Sequence, residues 1–447
     1  MVPTADECRV AVQGGRFYAA GDLPMPLPTS FSPAAALLKA DPVVITGAGA
    51  VSVAGLGAEV LWRAAVERRP GGRWVEIPRP GGGAGRFAGC PVEVLDWRGH
   101  PWAGMARRVD AAAQWGLRAG YEAVAQAGLL SGMPDRERLG VICGSSRGPQ
   151  QKWEETHESL RAGRRVKPTL AATMTLAAGP GALAQVLGAR GPSWLVSAAC
   201  ASGAFAMAAA AEQIVLGNAD IMLAGGSDEA LNAVVYAGLE SAGVLAGGRE
   251  DAGALCRPFC ADRSGLVPGN GAGVVVLESL SSAMRRGAVP LAVLSGWAVG
   301  MDGAGLVGMD PQGAGLQRTM RAALAKAGLA PHDIAYINAH GTGTVANDAA
   351  EAAAIAGVFG GEMPACSSSK PVTGHCLGAT PVLEAVLCME AMRRGELPPA
   401  FPCDGIDPAC AILRFSPGGP VAGIQHALSN SAAFWGFHAT LVLSRWE

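Results

Sequence analysis

The sequence predicts an α/β architecture, and three observations carry that prediction. Short apolar runs of strand length alternate with longer helix-length stretches along most of the chain. Half of the 447 residues are hydrophobic and only 16% are charged, which is ample material for a large buried core. The pattern also restarts after Arg285-Arg286-Gly287, with reactive residues at comparable strand ends in both parts, so an internally duplicated fold is expected.

Taken in order, residues 1–40 carry Pro24, Pro26, Pro28 and Pro33, lack sustained periodicity and read as an N-terminal extension. Pro42-Val43-Val44-Ile45-Thr46 is a buried-strand signal, followed by an expected turn at Gly47-Ala48-Gly49 and a helix over 59–67. That segment reaches Ser52 without the further glycine of a dinucleotide loop, so nicotinamide binding is not supported. A long helix is expected over 105–127, closed by Gly128, then a strand over 139–143 ending in Gly144-Ser145-Ser146. A loop-and-helix region bearing Arg161, Arg164, Arg165 and Lys167 follows. Next come a strand over 194–198, a helix over 201–216, and strands over 220–224 and 273–280. The second part reads as a strand at 291–295, a glycine-rich loop at 300–315 and a helix over 315–327. Strands at 334–339 and 365–368, a helix at 378–393, and strands at 426–430 and 439–444 complete it. The organisation expected is 1–40 as extension, 41–287 as one half and 288–447 as the other.

A net charge of −2 argues against a general nucleic-acid binder, and no apolar run is long enough to span a bilayer. No basic-then-apolar leader opens the chain, and the expected location is cytoplasmic. The eleven cysteines show no CxxC pair, so reduced, mostly buried thiols are expected everywhere but at Cys200.

Cys200 lies in Val196-Ser197-Ala198-Ala199-Cys200-Ala201-Ser202-Gly203, between a predicted strand and a helix start. The helix dipole there favours thiolate over thiol. His340 lies in Asn338-Ala339-His340-Gly341-Thr342-Gly343-Thr344, and His375 ends Ser369-Lys370-Pro371-Val372-Thr373-Gly374-His375. A cation at Lys370 would keep an adjacent imidazole neutral, and Glu384 on the following helix would balance the lysine. Two neutral imidazoles around one thiol suit stabilisation of an enolate better than hydrolysis. Separations of 140 and 35 residues give no metal-ligand signature, and Lys370 would repel a cation, so no metal is expected.

These segments, with Arg257-Pro258-Phe259, Gly269-Asn270-Gly271-Ala272-Gly273, Asn347-Asp348 and Asn430-Ser431, resemble the β-ketoacyl-acyl carrier protein synthases over roughly 41–447. The resemblance implies a thiolase-like fold, five layers αβαβα built from two similar halves, and commonly a dimer. It implies that Cys200 accepts an acyl group from a phosphopantetheine thioester. His340 and His375 would stabilise the enolate left when a malonyl-type extender loses carbon dioxide. Lys370 and Glu384 would support the histidines, Thr342 and Thr344 would contact the pantetheine arm, and the backbone N–H groups of Cys200 and Phe434 would form an oxyanion hole. No cofactor is implied beyond the carrier's phosphopantetheine.

Several positions depart from the family pattern. Acidic residues are replaced by Cys260, Ser264 and Asn270, and Pro381 interrupts the small-residue helix start after His375. The C-terminal glycine loop reads Ala433-Phe434-Trp435-Gly436, with His438 where asparagine is common. Trp435 is expected to stiffen the loop carrying Phe434, and a structural hydrogen bond is the preferred reading of His438. These departures point to a polyketide-type rather than a housekeeping fatty-acid enzyme. The expected partners are an acyl carrier protein in trans, with Arg161, Arg164 and Arg165 as candidate steering charges, and a second ketosynthase-type subunit in a homodimer or heterodimer. Two rival readings are an acyltransferase that passes the Cys200 acyl group to a non-carbon nucleophile and a non-catalytic partner subunit, which typically lacks the cysteine.

Overall fold

The computed structural model describes residues 10–12, 16–18, 33–79, 82–132, 135–303, 305 and 309–447. Of the 1–40 extension it describes a short hairpin, Val10–Val12 with Arg16–Tyr18, and a helix over Pro33–Ala40; the rest of that segment lies outside the described residues.

The central strands are β1 (Val43–Ser52), β2 (Leu139–Gly144), β3 (Ser193–Val196), β4 (Ile221–Asp228), β5 (Gly271–Ser279) and β6 (Ala292–Met301). They continue as β7 (Ile334–Asn338), β8 (Ala365–Ser367), β9 (Arg414–Phe415), β10 (His426–Ala432) and β11 (Phe437–Arg445). The principal helices are α1 (Ala111–Gln126), α2 (Gln150–Arg161), α3 (Ala178–Leu187), α4 (Ser202–Val215), α5 (Ala314–Ala327), α6 (Val345–Phe359) and α7 (Thr380–Arg394).

Strands pair in the order β9-β8-β7-β10-β11-β6-β1-β5-β4-β2-β3. The order 1-5-4-2-3 of the first part recurs as 6-11-10-7-8 in the second. Each copy has two antiparallel pairings followed by two parallel ones. The copies meet along β1 and β6 at only two residue pairs, Ile45 with Ala292 and Val44 with Val293. Helices repeat as well: α1 and α5 follow the first strand of each copy, α3 and α6 precede the third, and α4 and α7 follow the third.

Helices α4 and α7 pack on each other and on strands of both copies, while α1 and α3 cover the first outer face and α5 and α6 the second. The result is five layers, αβαβα. Strands β1 and β5 are buried along their whole length, which is why they read as unbroken apolar runs rather than alternating ones. In α7 every residue from Thr380 to Met392 is buried, as expected of a helix enclosed on all sides. No helix among the described residues is long and apolar enough to cross a membrane.

Several expectations need correction. Gly47-Ala48-Gly49 is not a turn but the middle of β1. Its glycines let α1 lie directly on the strand: a Cβ at Gly47 or Gly49 would stand 2.0 Å from the carbonyl oxygen of Ala123 or Ala119. The single helix expected over 105–127 is broken into Ala103–Ala106 and α1, because Asp110 turns extended and caps α1 by accepting from the N–H of Ala113 at 3.3 Å. Pro381 does not interrupt the helix start. It occupies the first turn of α7, where its missing N–H has no intrahelical partner to lose. Cys260 and Cys403 form a disulfide, their loops lying side by side with Cα atoms 5.5 Å apart. The remaining described cysteines are free and buried.

The β1–α1 contact yields a stability test. Gly49→Ala should cost about 1–3 kcal/mol by overpacking, whereas Gly247→Ala, which meets open space, should stay within about 0.5 kcal/mol of the parent. Urea denaturation of both variants checks this.

Candidate active site

Cys200 lies in the tight connection from β3 to α4, two residues ahead of the helix. Ala199 is held in the left-handed region at φ 48°, so the backbone bends sharply before the thiol. Ser202 fastens the turn by donating to the carbonyl of Ala199 at 2.6 Å and accepting from the N–H of Ala198 at 2.9 Å. The second copy repeats the geometry: Leu377, also three residues before its helix, has φ 47°.

His340 follows β7, and His375 lies in the β8 to α7 connection. Their rings meet edge to face with centroids 5.3 Å apart. His375 Nδ1 is 3.2 Å from the Thr380 hydroxyl. The backbone N–H groups of His340 and Gly341 both donate to the buried carboxylate of Glu351, each at 2.8 Å. Lys370 is fully buried, pairs with Glu384 at 2.7 Å and donates to the carbonyl of His340, so one ammonium ties the two histidine segments together. Burial and the Lys370 charge hold both imidazoles well below the ordinary histidine range, with smaller effects on His340 from His375 and His438. Both rings are therefore neutral at physiological pH.

The thiol differs from expectation. Burial pushes Cys200 up to about 12, against the opposing pull of Arg147 and Lys370. The resting nucleophile is a neutral thiol, because loss of solvation outweighs the favourable charges at this depth. Glu384 is likewise pushed up to about 7 by burial while Lys370 draws it down.

Cys200, His340, His375, Thr342, Thr344 and Phe434 line one cavity of about 200 Å³, whose walls are mainly apolar. Lys370 and Glu384 stand behind it. Thr342 and Thr344 join hydroxyls at 3.0 Å. Arg161, Arg164 and Arg165, offered from sequence as steering charges, are exposed at the end of α2 and beyond and do not line the cavity.

Sequence reasoning missed Asp228 and Glu351 as residues that shape the site, and it quoted Asp348 within Asn347-Asp348 without giving it a role. Asp228, ending β4 and fully buried, accepts from Ser145 Oγ at 2.6 Å and from the N–H groups of Ser146 (2.8 Å), Arg147 (3.1 Å) and Gly378 (2.7 Å). Asp348 accepts from the N–H groups of Phe259 (2.7 Å) and Gly343 (3.2 Å) and lies 3.6 Å from Arg263. For Asp228 the available signal was position, an acid closing an apolar strand.

The departures noted in sequence have partners here. Asn270 accepts from the N–H groups of Ala230 and Leu231, and Ser264 exchanges hydrogen bonds with the backbone of Gly247. His438 is buried with Nε2 2.9 Å from Asp302. Burial raises the Asp302 carboxyl, but the interaction with His438 and the N–H of Asp310 bring it below the usual range. Asp302 in turn donates its N–H to the carbonyl of Gly436, so His438 fastens a strand end behind the Phe434 loop. Trp435 adopts φ 66°, a conformation that costs a non-glycine residue about 1–3 kcal/mol.

Family models for the β-ketoacyl synthase N-terminal and C-terminal domains match residues 40–283 and 291–404. Nodulation protein E of Rhizobium leguminosarum bv. trifolii is 41% identical over 327 residues, 72% of this chain and 79% of that protein. The 3-oxoacyl-[acyl-carrier-protein] synthase 2 of Staphylococcus aureus is 33% identical over 413 residues, 91% of this chain and 98% of that one. Among solved structures, a chain from a type II PKS acyl-carrier protein complexed with its ketosynthase superposes with TM-score 0.82 at 28% identity, over 91% of this chain and 100% of that one. A chain from the complex of a ketosynthase with its chain length factor, from Xenorhabdus doucetiae, gives 0.78 at 27% identity, over 91% and 99%.

The neutral state of His375 has a measurable signature. In the unfolded chain this histidine takes up a proton near pH 6.5, whereas in the folded protein it does not. Its contribution to stability is therefore lost as pH falls below about 6.5. The difference in unfolding free energy between the parent and His375→Asn should shrink by about 1.4 kcal/mol per pH unit there, and should be flat between pH 7 and 8. Urea titrations at several pH values read it directly.

Proposed function

The chain belongs to the β-ketoacyl synthase family, and from that membership we propose that its Cys200, His340 and His375 carry out a decarboxylative Claisen condensation between carrier-bound thioesters. The observation that supports the residue assignment is the meeting of one thiol and two neutral imidazoles in a single apolar cavity. In this reading Cys200 attacks an acyl thioester and keeps the acyl group, releasing the carrier thiol. A malonyl-type thioester then enters, and loss of carbon dioxide leaves an enolate whose oxygen receives hydrogen bonds from the two imidazole N–H groups. Neutral donors placed in advance in a dry cavity stabilise that charge without reorganisation. The enolate carbon attacks the acyl carbonyl, the backbone N–H groups of Cys200 and Phe434 hold the resulting oxyanion, and collapse returns the Cys200 sulfur.

Because the resting thiol is neutral, its proton must leave as the sulfur attacks. A neighbouring neutral imidazole, or the departing carrier thiolate, accepts it. Lys370 and Glu384 act as positioning residues, and Thr342 and Thr344 hold the pantetheine arm. The reading assigns 41–287 to the half bearing the nucleophile and 288–447 to the half bearing both histidines. No resident cofactor or metal enters the scheme.

An acyl carrier protein is the proposed donor and acceptor, with exposed Arg161, Arg164 and Arg165 as charges complementary to an acidic carrier. The proposed second partner is a ketosynthase-type subunit. Strand β3 is one edge of the sheet and carries exposed Trp194, and Trp153 and Leu176 expose apolar side chains around one further cavity.

Intact-mass analysis with acyl-carrier thioesters, together with carbon dioxide release from malonyl carrier, tests the assignment. The parent should gain one acyl mass and release carbon dioxide. Cys200→Ala should gain none, and His375→Ala should release carbon dioxide about 100-fold or more slowly, as for loss of one oxyanion donor. Acylation without any carbon dioxide release would favour transfer to a non-carbon nucleophile, and an adduct persisting in Cys200→Ala would refute the nucleophile.

A further inference from the structure

Beside Cys200 the cavity contains one side chain that condensation chemistry leaves without a task. Among the described residues lining the cavity Arg147 is the one arginine or lysine; it is an exposed residue that shares the cavity wall with apolar Leu239, Val244, Leu266, Leu377 and Phe434. Among the described residues its guanidinium has no carboxylate within ion-pair distance and no side-chain hydrogen bond. Its backbone is nevertheless held firmly. Its N–H donates to Asp228 at 3.1 Å, and the same carboxylate clamps Ser146 and Gly378, the latter in the connection that carries His375. Gly148, with φ 67°, turns the chain immediately after it and donates to Ser145 Oγ at 2.8 Å. The loop thus places an unpaired planar cation, from a fixed backbone, at the exposed side of the cavity that Cys200 also lines.

A plain alkyl chain in this cavity would gain nothing from a guanidinium at its wall, because it offers no acceptor for the N–H donors. A cation with several N–H donors instead suits oxygen acceptors on the acyl group, where charge-assisted hydrogen bonds are strongest. Burial pushes the Cys200 thiol up, and Arg147 is the leading charge drawing it down, which agrees with their closeness.

We propose that Arg147 is a specificity-determining residue that selects acyl groups bearing ketone or carboxylate oxygens over plain alkyl chains. This proposal rests on the reading of Cys200 as the acyl acceptor. It also gives the substrate a chemical class: an oxygenated acyl chain, as left by condensations whose ketones are not reduced or by loading of a dicarboxylic half-thioester.

The experiment measures Cys200 acylation rates with hexanoyl, 3-oxohexanoyl and adipoyl carrier thioesters, for the parent, Arg147→Leu and Arg147→Lys. Thermal melts confirm that each variant is folded. The parent should prefer 3-oxohexanoyl and adipoyl to hexanoyl. Arg147→Leu should lower that preference about tenfold, the scale of one charge-assisted hydrogen bond, and Arg147→Lys should keep part of it for adipoyl. An unaltered preference in Arg147→Leu would overturn the proposal while leaving the ketosynthase reading intact. An equal loss on all three thioesters would assign Arg147 to the shared phosphopantetheine arm and also overturn it. Absence of acylation by every thioester in the parent would remove both the reading and the proposal.

Discussion

The buried pair of Lys370 and Glu384 is the interaction on which the site depends. Neither side chain is exposed, and their 2.7 Å contact lies between the end of β8 and α7, the helix enclosed by both sheets. Removing one partner of such a pair typically costs about 3–5 kcal/mol, because the other charge is left stranded. That cost has a functional counterpart. The ammonium also holds the carbonyl of His340, and its charge adds to burial in keeping both imidazoles neutral. With Cys200 a neutral thiol, the three reactive groups are uncharged at rest. The cavity is thus prepared for charge that appears only during reaction.

A second constraint is repeated three times. Asp228, Glu351 and Asp348 are fully buried, and each clamps backbone N–H groups of a turn at the edge of the cavity. Burial alone would raise each carboxyl, and the donated N–H groups oppose that rise. Each acid fixes a short loop without a long hydrogen-bonded ladder. Asp228 joins the Ser146–Arg147 turn to Gly378 across the interface between the two copies, so one carboxylate clamps the turn that borders the cavity beside Cys200 and the connection that carries His375. The topology favours such bridging, since 1-5-4-2-3 repeated as 6-11-10-7-8 places equivalent connections on either side of α4 and α7.

The α/β class and most strands were legible because β1, β5 and β7 are wholly or largely enclosed and read as apolar runs. Ends were less legible. Strands β4 and β6 extend past their predicted limits through the glycines Gly225 and Gly226 and through Gly296 and Gly300, which have weak strand preference and are held by pairing with neighbouring strands. The helix over 345–359 was not anticipated, and Asp110 broke a predicted helix through a cap that the helical pattern around it concealed. Cys200, His340 and His375 were legible because each lies in a compact motif. The clamps at Asp228 and Glu351 were not, since an isolated acid reads as surface charge until its contact is known, 150 residues away for Asp228 with Gly378. The Cys260–Cys403 disulfide, 143 residues apart, was hidden for the same reason.

The central claim is that burial and Lys370 keep both catalytic imidazoles neutral in the resting protein. Nitrogen-15 NMR of histidine-labelled protein, with His340 and His375 assigned by single substitution, measures this most directly. The account predicts that both rings retain the distinct pair of shifts of a neutral imidazole from pH 8 down to below pH 6. Converging imidazolium shifts at either residue at pH 7 would contradict it.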